Sequence, residues 1–279
     1  MTQFAIAGIQ LDASVKDNLA EISKQVAITK ARFPWVKMIV LSELLAFGAD
    51  VSRAETLPGP TEDYFCSMAR KYNVWLINGS IYELAGEKIY NTTSVINDAG
   101  DVVVRHRKLF PFLPYEKGIA AGDQHTVFTI PTVGTFGVSI CYDMWFPETT
   151  RALVSLGAEV ILHPTLTNTI DRDAELAIAR ASAITNQCYF IDINGGGKLG
   201  YGQSIIVGPE GEVLHQAGRD GETIPIVLDF AKVRRTRENG IHNLGQPLKS
   251  FRDSEVKFPQ YDADFNFKPT LGKLDIPTG

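Results

Sequence analysis

The stretch "GVSICYDMWFPE", residues 137–148, carries an apolar run into a thiol at Cys141, then a Tyr-Asp pair, then a proline. Residues 136–140 have the β-branched and aromatic content of a strand. Pro147 suits the first turn of a helix that Gly157 would stop. Cys141 therefore falls at a strand-to-helix junction, and in open α/β sheets chemistry collects at that end of a strand. The competing reading is a structural thiol, since an unactivated cysteine is a small hydrophobe.

Working outward, short β-rich runs alternate with longer helical patterns. Strands are predicted at 4–11, 38–42, 74–81, 92–96, 102–104, 126–130, 136–140, 159–162, 188–193, 203–207 and 223–228. Helices are predicted over 16–32, 62–72, 147–156 and 172–186. In the first helix Leu19, Ile22 and Val26 mark one apolar face. The unbroken apolar character of 38–41 and 160–162 predicts strands covered on both faces. No fixed-period repeat and no Gly/Ser- or Pro-rich linker divides residues 1–230, so they are expected to form one domain. After Asp229 the texture turns basic and polar. The stretch 231–279 still carries Leu244, Leu248, Phe251, Phe258, Tyr261, Phe265 and Phe267. Disorder would waste those anchors, so an extension packed on the domain or on a second subunit is expected.

The 279 residues, 44% hydrophobic and 21% charged, fit a soluble globular protein with a sizeable core. A formal net charge of -5 argues against nucleic acid as the main ligand, because a basic face is its usual footprint. The apolar runs are too short to cross a bilayer, and residues 1–12 lack the charged start and cleavage site of a signal peptide. Three cysteines without metal-like spacing argue for a reducing compartment, and the expected location is the cytoplasm.

Cys66, on the apolar side of a predicted helix, and Cys188, before "YFIDI", read as inert core residues. Cys141 needs help to become a nucleophile. Five histidines are present, and none stands in a context that marks it as the thiol's partner. Two charged residues stand at similar junctions instead. Glu43 follows the apolar run of "MIVLSELLAFG", and Lys108 follows "VVVRHR", with Glu116 eight residues beyond it. Each alone reads equally as a solvated charge at a strand end.

As a set, "LSELLAFG", "RHRKLFPFLPYE" and "GVSICYDMWFPE" resemble the signature segments of the nitrilase superfamily, the carbon–nitrogen hydrolases. "ILHPT", "RASAITNQCYFIDINGGG" and "GQSIIVGPEGEV" are similar to its later blocks. Thr185 departs from the glutamate the family often has before the asparagine. The resemblance implies an α/β fold, a four-layer α-β-β-α sandwich. It also implies Glu43 as general base, Lys108 as cationic stabiliser, Cys141 as nucleophile and Glu116 as a second carboxylate orienting Lys108 or the substrate. No metal or organic cofactor is required by that chemistry. Tyr115, Tyr142, Trp145, Thr165 and Asn168 lie in segments expected to border a pocket and are candidate substrate contacts.

The Tyr142-Asp143 pair resembles amidases rather than nitrile-cleaving members, so a hydrolase of small non-peptide amides is expected. N-carbamoyl compounds are the nearest alternative substrates and nitriles the next. Family members commonly assemble, which implies a homodimer or higher homo-oligomer. Outside this class stand a non-catalytic binding protein and a thiol redox protein. The latter would want a resolving cysteine near Cys141, and neither Cys66 nor Cys188 is evident in that role.

Overall fold

The computed structural model describes residues 2–14, 16–197, 199–262, 265 and 271–276. Phe267, one of the tail anchors named above, lies outside the described residues. In chain order the first half contains β1 (Gln3–Gln10), β2 (Asp12–Ala13), α1 (Leu19–Arg32), β3 (Met38–Leu41), α2 (Pro60–Tyr72), β4 (Trp75–Ile77), β5 (Ile81–Ala85), β6 (Lys88–Ile96) and β7 (Val102–Arg107). The second half contains β8 (Thr126–Ile130), β9 (Gly134–Val138), α3 (Pro147–Ser155), β10 (Val160–Thr165), α4 (Arg172–Asn186), β11 (Tyr189–Asn194) and β12 (Gly196–Gly197). β13 (Ile205–Val207), β14 (Val213–Gln216), β15 (Glu222–Asp229), α5 (Phe230–Asn239) and α6 (Pro247–Arg252) follow.

The strands form two principal sheets. One has the order β15-β1-β3-β4-β6-β5, with β7 also paired to β6; the other runs β14-β13-β11-β10-β9-β8. Both have parallel centres: β1, β3 and β4 in the first, β9, β10 and β11 in the second. Their inner faces meet through Ile6, Met38 and Val40 on one side and Val138, Leu162 and Ile191 on the other, all fully buried. α1 and α2 cover the outside of the first sheet through Ile22, Val26, Phe65 and Met68. α3 and α4 cover the second through Leu153, Val154, Ala179 and Ala183. The result is the four-layer α-β-β-α sandwich. Each Ile or Val sealed in these layers contributes about 2 kcal/mol of burial, and Met38–Leu41, closed on both faces, has no position for a polar side chain.

Two departures from the sequence expectation have identifiable physical causes. The strand expected over 74–81 breaks into β4 and β5 around Gly79, whose φ is +76°; a Cβ there would sit 1.9 Å from the Ser42 carbonyl oxygen. Only glycine tolerates that conformation and that approach. The crossing lets Ser80 Oγ accept the Leu44 N–H (3.0 Å), which anchors the turn holding Glu43. The second departure is α5, in a segment that looks polar. Its burial is confined to Phe230, Val233 and Thr236, too sparse a stripe to stand out among its arginines.

Candidate active site

The functional side chains gather where the parallel strands of both sheets end. Glu43 comes two residues after β3, Lys108 directly after β7, Cys141 shortly after β9, and Thr167 just past β10. A backbone bond joins the two sheets here, Glu43 N–H donating to the Thr165 carbonyl (3.2 Å), while Ser139 N–H continues the β9–β10 pairing by donating to the Leu162 carbonyl (3.2 Å).

Lys108 is almost completely buried, and its Nζ donates to Glu43 Oε1 and Glu116 Oε2, each at 2.9 Å. Asn91 Nδ2 also donates to Glu43 Oε1 (2.7 Å), and the Phe112 N–H donates to Glu116 Oε2. Cys141 opens a 3-10 turn, Cys141–Trp145, and adopts φ +45°. A left-handed conformation at a non-glycine residue costs of order 1 kcal/mol and is held only where its surroundings dictate it. Here Asp143 supplies the constraint. Its Oδ2 accepts the Ile140 N–H (2.9 Å), and its Oδ1 accepts the Phe110 N–H (2.8 Å). One carboxylate thereby ties the cysteine turn to the loop after Lys108. His106 Nε2 lies 3.4 Å from the same Oδ2.

The Glu43 carboxylate and the Leu166 backbone both act electrostatically on the Cys141 thiol, and Thr167 Oγ1 stands 3.9 Å from Sγ. Burial pushes the thiol well above its ordinary value, the Glu43 charge adds to this, and Lys108 only opposes them. Cys141 therefore rests protonated. Lys108 favours the thiolate, but desolvation and the neighbouring carboxylate outweigh one ammonium. Burial also raises Glu43 against the pull of Lys108. Burial alone would lower Lys108, but Glu43, the sulfur and Glu116 more than offset it and hold the ammonium charged.

Cys141 opens onto a cavity of about 420 Å³ lined in part by Phe112, Tyr115, Tyr142, Trp145 and Asn168. Glu43, Lys108 and Glu116 thus come together around Cys141 as expected, and four of the five candidate contacts border the cavity. Thr165 does not. It is fully buried, its hydroxyl has no hydrogen-bond partner among the described residues, and its contribution is the carbonyl that accepts the Glu43 N–H. Its side chain ends β10 inside the packing between layers rather than in the opening beyond it.

Sequence reasoning missed Asn91, Asp143, Thr167 and Glu175. Thr167 Oγ1 donates to Glu175 Oε1 (2.9 Å), and Thr167 is fixed through its N–H and C=O by the Asn194 side chain (2.9 and 3.0 Å). Asp143 lies within the 137–148 motif without a sign of its role, and Asn91 within β6, Thr167 past β10 and Glu175 within α4 carry no sequence signal that sets them apart.

The carbon-nitrogen hydrolase family model matches residues 3–238. The chain belongs to the carbon–nitrogen hydrolases, the nitrilase superfamily. Among its relatives is the omega-amidase NIT3 of Saccharomyces cerevisiae, 30% identical over 260 residues, 84% of this chain and 89% of that protein. A formamidase of Bacillus thuringiensis is 27% identical over 263 residues, 88% of this chain and 79% of that one. The crystal structure of yeast Nit3, described as a member of branch 10 of the nitrilase superfamily, superposes with a TM-score of 0.79 at 28% identity. It covers 85% of this chain and 94% of that one. An amidase from Nesterenkonia shares the fold with a TM-score of 0.74 at 22% identity, covering 84% and 94% respectively. This member of the family is a hydrolase of non-peptide carbon–nitrogen bonds. Among the described residues, no helix is long and apolar enough to cross a membrane.

Proposed function

We propose that the protein hydrolyses the amide of a small carboxamide, with Cys141 as nucleophile and Glu43 as the base that first activates it. The observation that carries this reading is a buried thiol that borders the cavity and feels the charge of a buried carboxylate, which an ammonium holds in place at 2.9 Å. Glu43 takes the thiol proton as Sγ attacks the carbonyl carbon. The oxyanion that forms needs donors aimed at it, and losing one costs about 3 kcal/mol of barrier. Lys108 is one donor. The Tyr142 N–H is the other, since the leading amides of a helical turn have no partner within it. When the tetrahedral intermediate collapses, the C–N bond breaks, Glu43 passes its proton to the leaving nitrogen, and ammonia or an amine departs. Water, giving a proton to the same carboxylate, attacks the Cys141 thioester. The acid leaves and the sulfur regains a proton. Glu116 holds Lys108 in line. Phe112, Tyr115, Tyr142, Trp145 and Asn168 surround the acyl group.

The same reading extends to assembly and location. Leu244, Phe251, Phe258, Tyr261, Leu271 and Leu274 are substantially exposed on the protomer, which supports an extension over 231–279 that packs on a partner subunit in a homo-oligomer. Three free cysteines support a reducing, cytoplasmic setting.

The test is ammonia release from aliphatic amides, ω-amides, N-carbamoyl compounds and nitriles, with Cys141→Ala as blank. Amides are expected to turn over and nitriles barely to react. Hydrolysis of a nitrile faster than every amide, or ammonia release by Cys141→Ala at the wild-type rate, would overturn the reading.

A further inference from the structure

The cavity in front of Cys141 is unusual in its charge. Besides the aromatic residues it is bordered by Thr167, Asp171 and Glu175. Glu175 is already engaged: Arg172 Nη1 lies 3.0 Å from its Oε2, and Arg172 Nη2 lies 2.8 Å from Asp192 Oδ2. Arg172 and Asp192 are fully buried, and the second guanidinium nitrogen also donates to the Gln203 carbonyl (2.8 Å). One guanidinium therefore answers two carboxylates, and among the described residues the half-buried Asp171 has no cation on it; its partner is the Thr169 hydroxyl at 3.4 Å. Behind Cys141 the balance repeats, with Lys108 between Glu43 and Glu116. No lysine or arginine borders the cavity among the described residues. The remaining wall is aromatic: Phe112 packs against Tyr115 and Tyr142 with ring centres 5.0 and 4.8 Å apart, and Tyr142 lies 6.0 Å from Trp145.

We propose that this cavity selects an amide whose far end is a cation, an alkyl ammonium seated between the Asp171–Glu175 edge and the aromatic wall. The inference rests on the amidase reading above and names the substrate class within it. Ring faces attract an ammonium that has shed part of its water, and an excess of carboxylates attracts it at longer range. A substrate ending in a carboxylate would enter a cavity with no partner for its charge and would lose hydration uncompensated.

The experiment compares kcat/KM for three amides of matched length: 5-aminopentanamide, pentanamide and the monoamide of glutaric acid. The ammonium compound is expected to lead pentanamide by about tenfold, with the difference mainly in KM, and the carboxylate compound to trail both. The lead should shrink in about 0.5 M salt, where charges at the rim are screened. Asp171→Asn should reduce the ratio of the ammonium compound to pentanamide by roughly fivefold, and Asp171→Lys should turn the order toward the monoamide. Equal rates for the ammonium and neutral amides, or a lead for the monoamide, would overturn the inference while leaving the amidase reading intact. A wild-type ratio in Asp171→Asn would overturn the role of that edge. If no amide is turned over, both readings fall together.

Discussion

Cys141 and Cys188 are two buried thiols on the same sheet, and their surroundings differ in every respect that matters for chemistry. Cys188 lies at the start of β11 with Leu153, Ile161 and Phe190 in its packing cluster. Burial pushes its thiol up to about 12, and Arg237 and Arg151 do not reverse that. Cys141 is pushed up by burial as well, and further by Glu43. A raised thiol is therefore not what separates them. Cys141 has a carboxylate to receive its proton, an ammonium beside that carboxylate, a cavity in front and a strained turn that presents its sulfur. Cys188 has cations without a base and no opening. Activation here is a property of the neighbours, delivered when a substrate arrives, rather than of a thiolate waiting at rest.

The comparison breaks most decisively at Glu43. Glu43→Gln keeps the side chain's size but removes the proton acceptor, and kcat is expected to fall about 10³-fold or more. Ammonia-release kinetics on a variant with an unchanged circular dichroism spectrum would measure it. A loss below tenfold would put the two thiols on the same footing. The reverse substitution sharpens the contrast from the other side. Cys188→Ala should leave kcat/KM within about twofold and cost about 1–2 kcal/mol in urea denaturation, the effect of a small void in a packed layer. Iodoacetamide followed by peptide mass spectrometry should modify Cys141 in step with lost activity and leave Cys188 untouched until unfolding.

A smaller effect lies at Glu175, which borders the Cys141 cavity alone. Burial, opposed by Arg172, raises its carboxyl from 4.5 to about 6. A raised carboxyl means that the folded state holds the proton more tightly. The stability from this group is full below about pH 4.5 and is lost as pH climbs through about 6. Glu175→Gln removes that slope. The variant should gain on wild type, by on the order of 1–2 kcal/mol, as pH rises across this window in denaturant titrations. A difference independent of pH would show that Glu175 is ionised throughout.

The extent to which these features were legible in the sequence varied with their cause. α4 has the bounds expected, 172–186, because a helix is a local pattern with local ends. Glu43, Lys108 and Cys141 were visible since each follows a predicted strand and their segments resemble a known family. Gly79 was not recognised as a break, because its reason is the Ser42 carbonyl 37 positions earlier. Thr165 stands next to pocket residues in the chain, yet it belongs to β10, whose residues are buried on both faces. Asp143 was quoted from the start as part of the motif, but its hold on Phe110 N–H can only be read from folded geometry.

The alternation of strands and helices, the family resemblance and the sulfur proposed as nucleophile are all legible along the chain, because periodicity and motif are properties of residues near one another in sequence. The tertiary structure alone decided that this sulfur rests protonated, that one aspartate sets its turn, and that its cavity is rimmed by carboxylates with no cation among the described residues. Those are matters of distance and desolvation, and both are set only when strands remote in sequence end side by side.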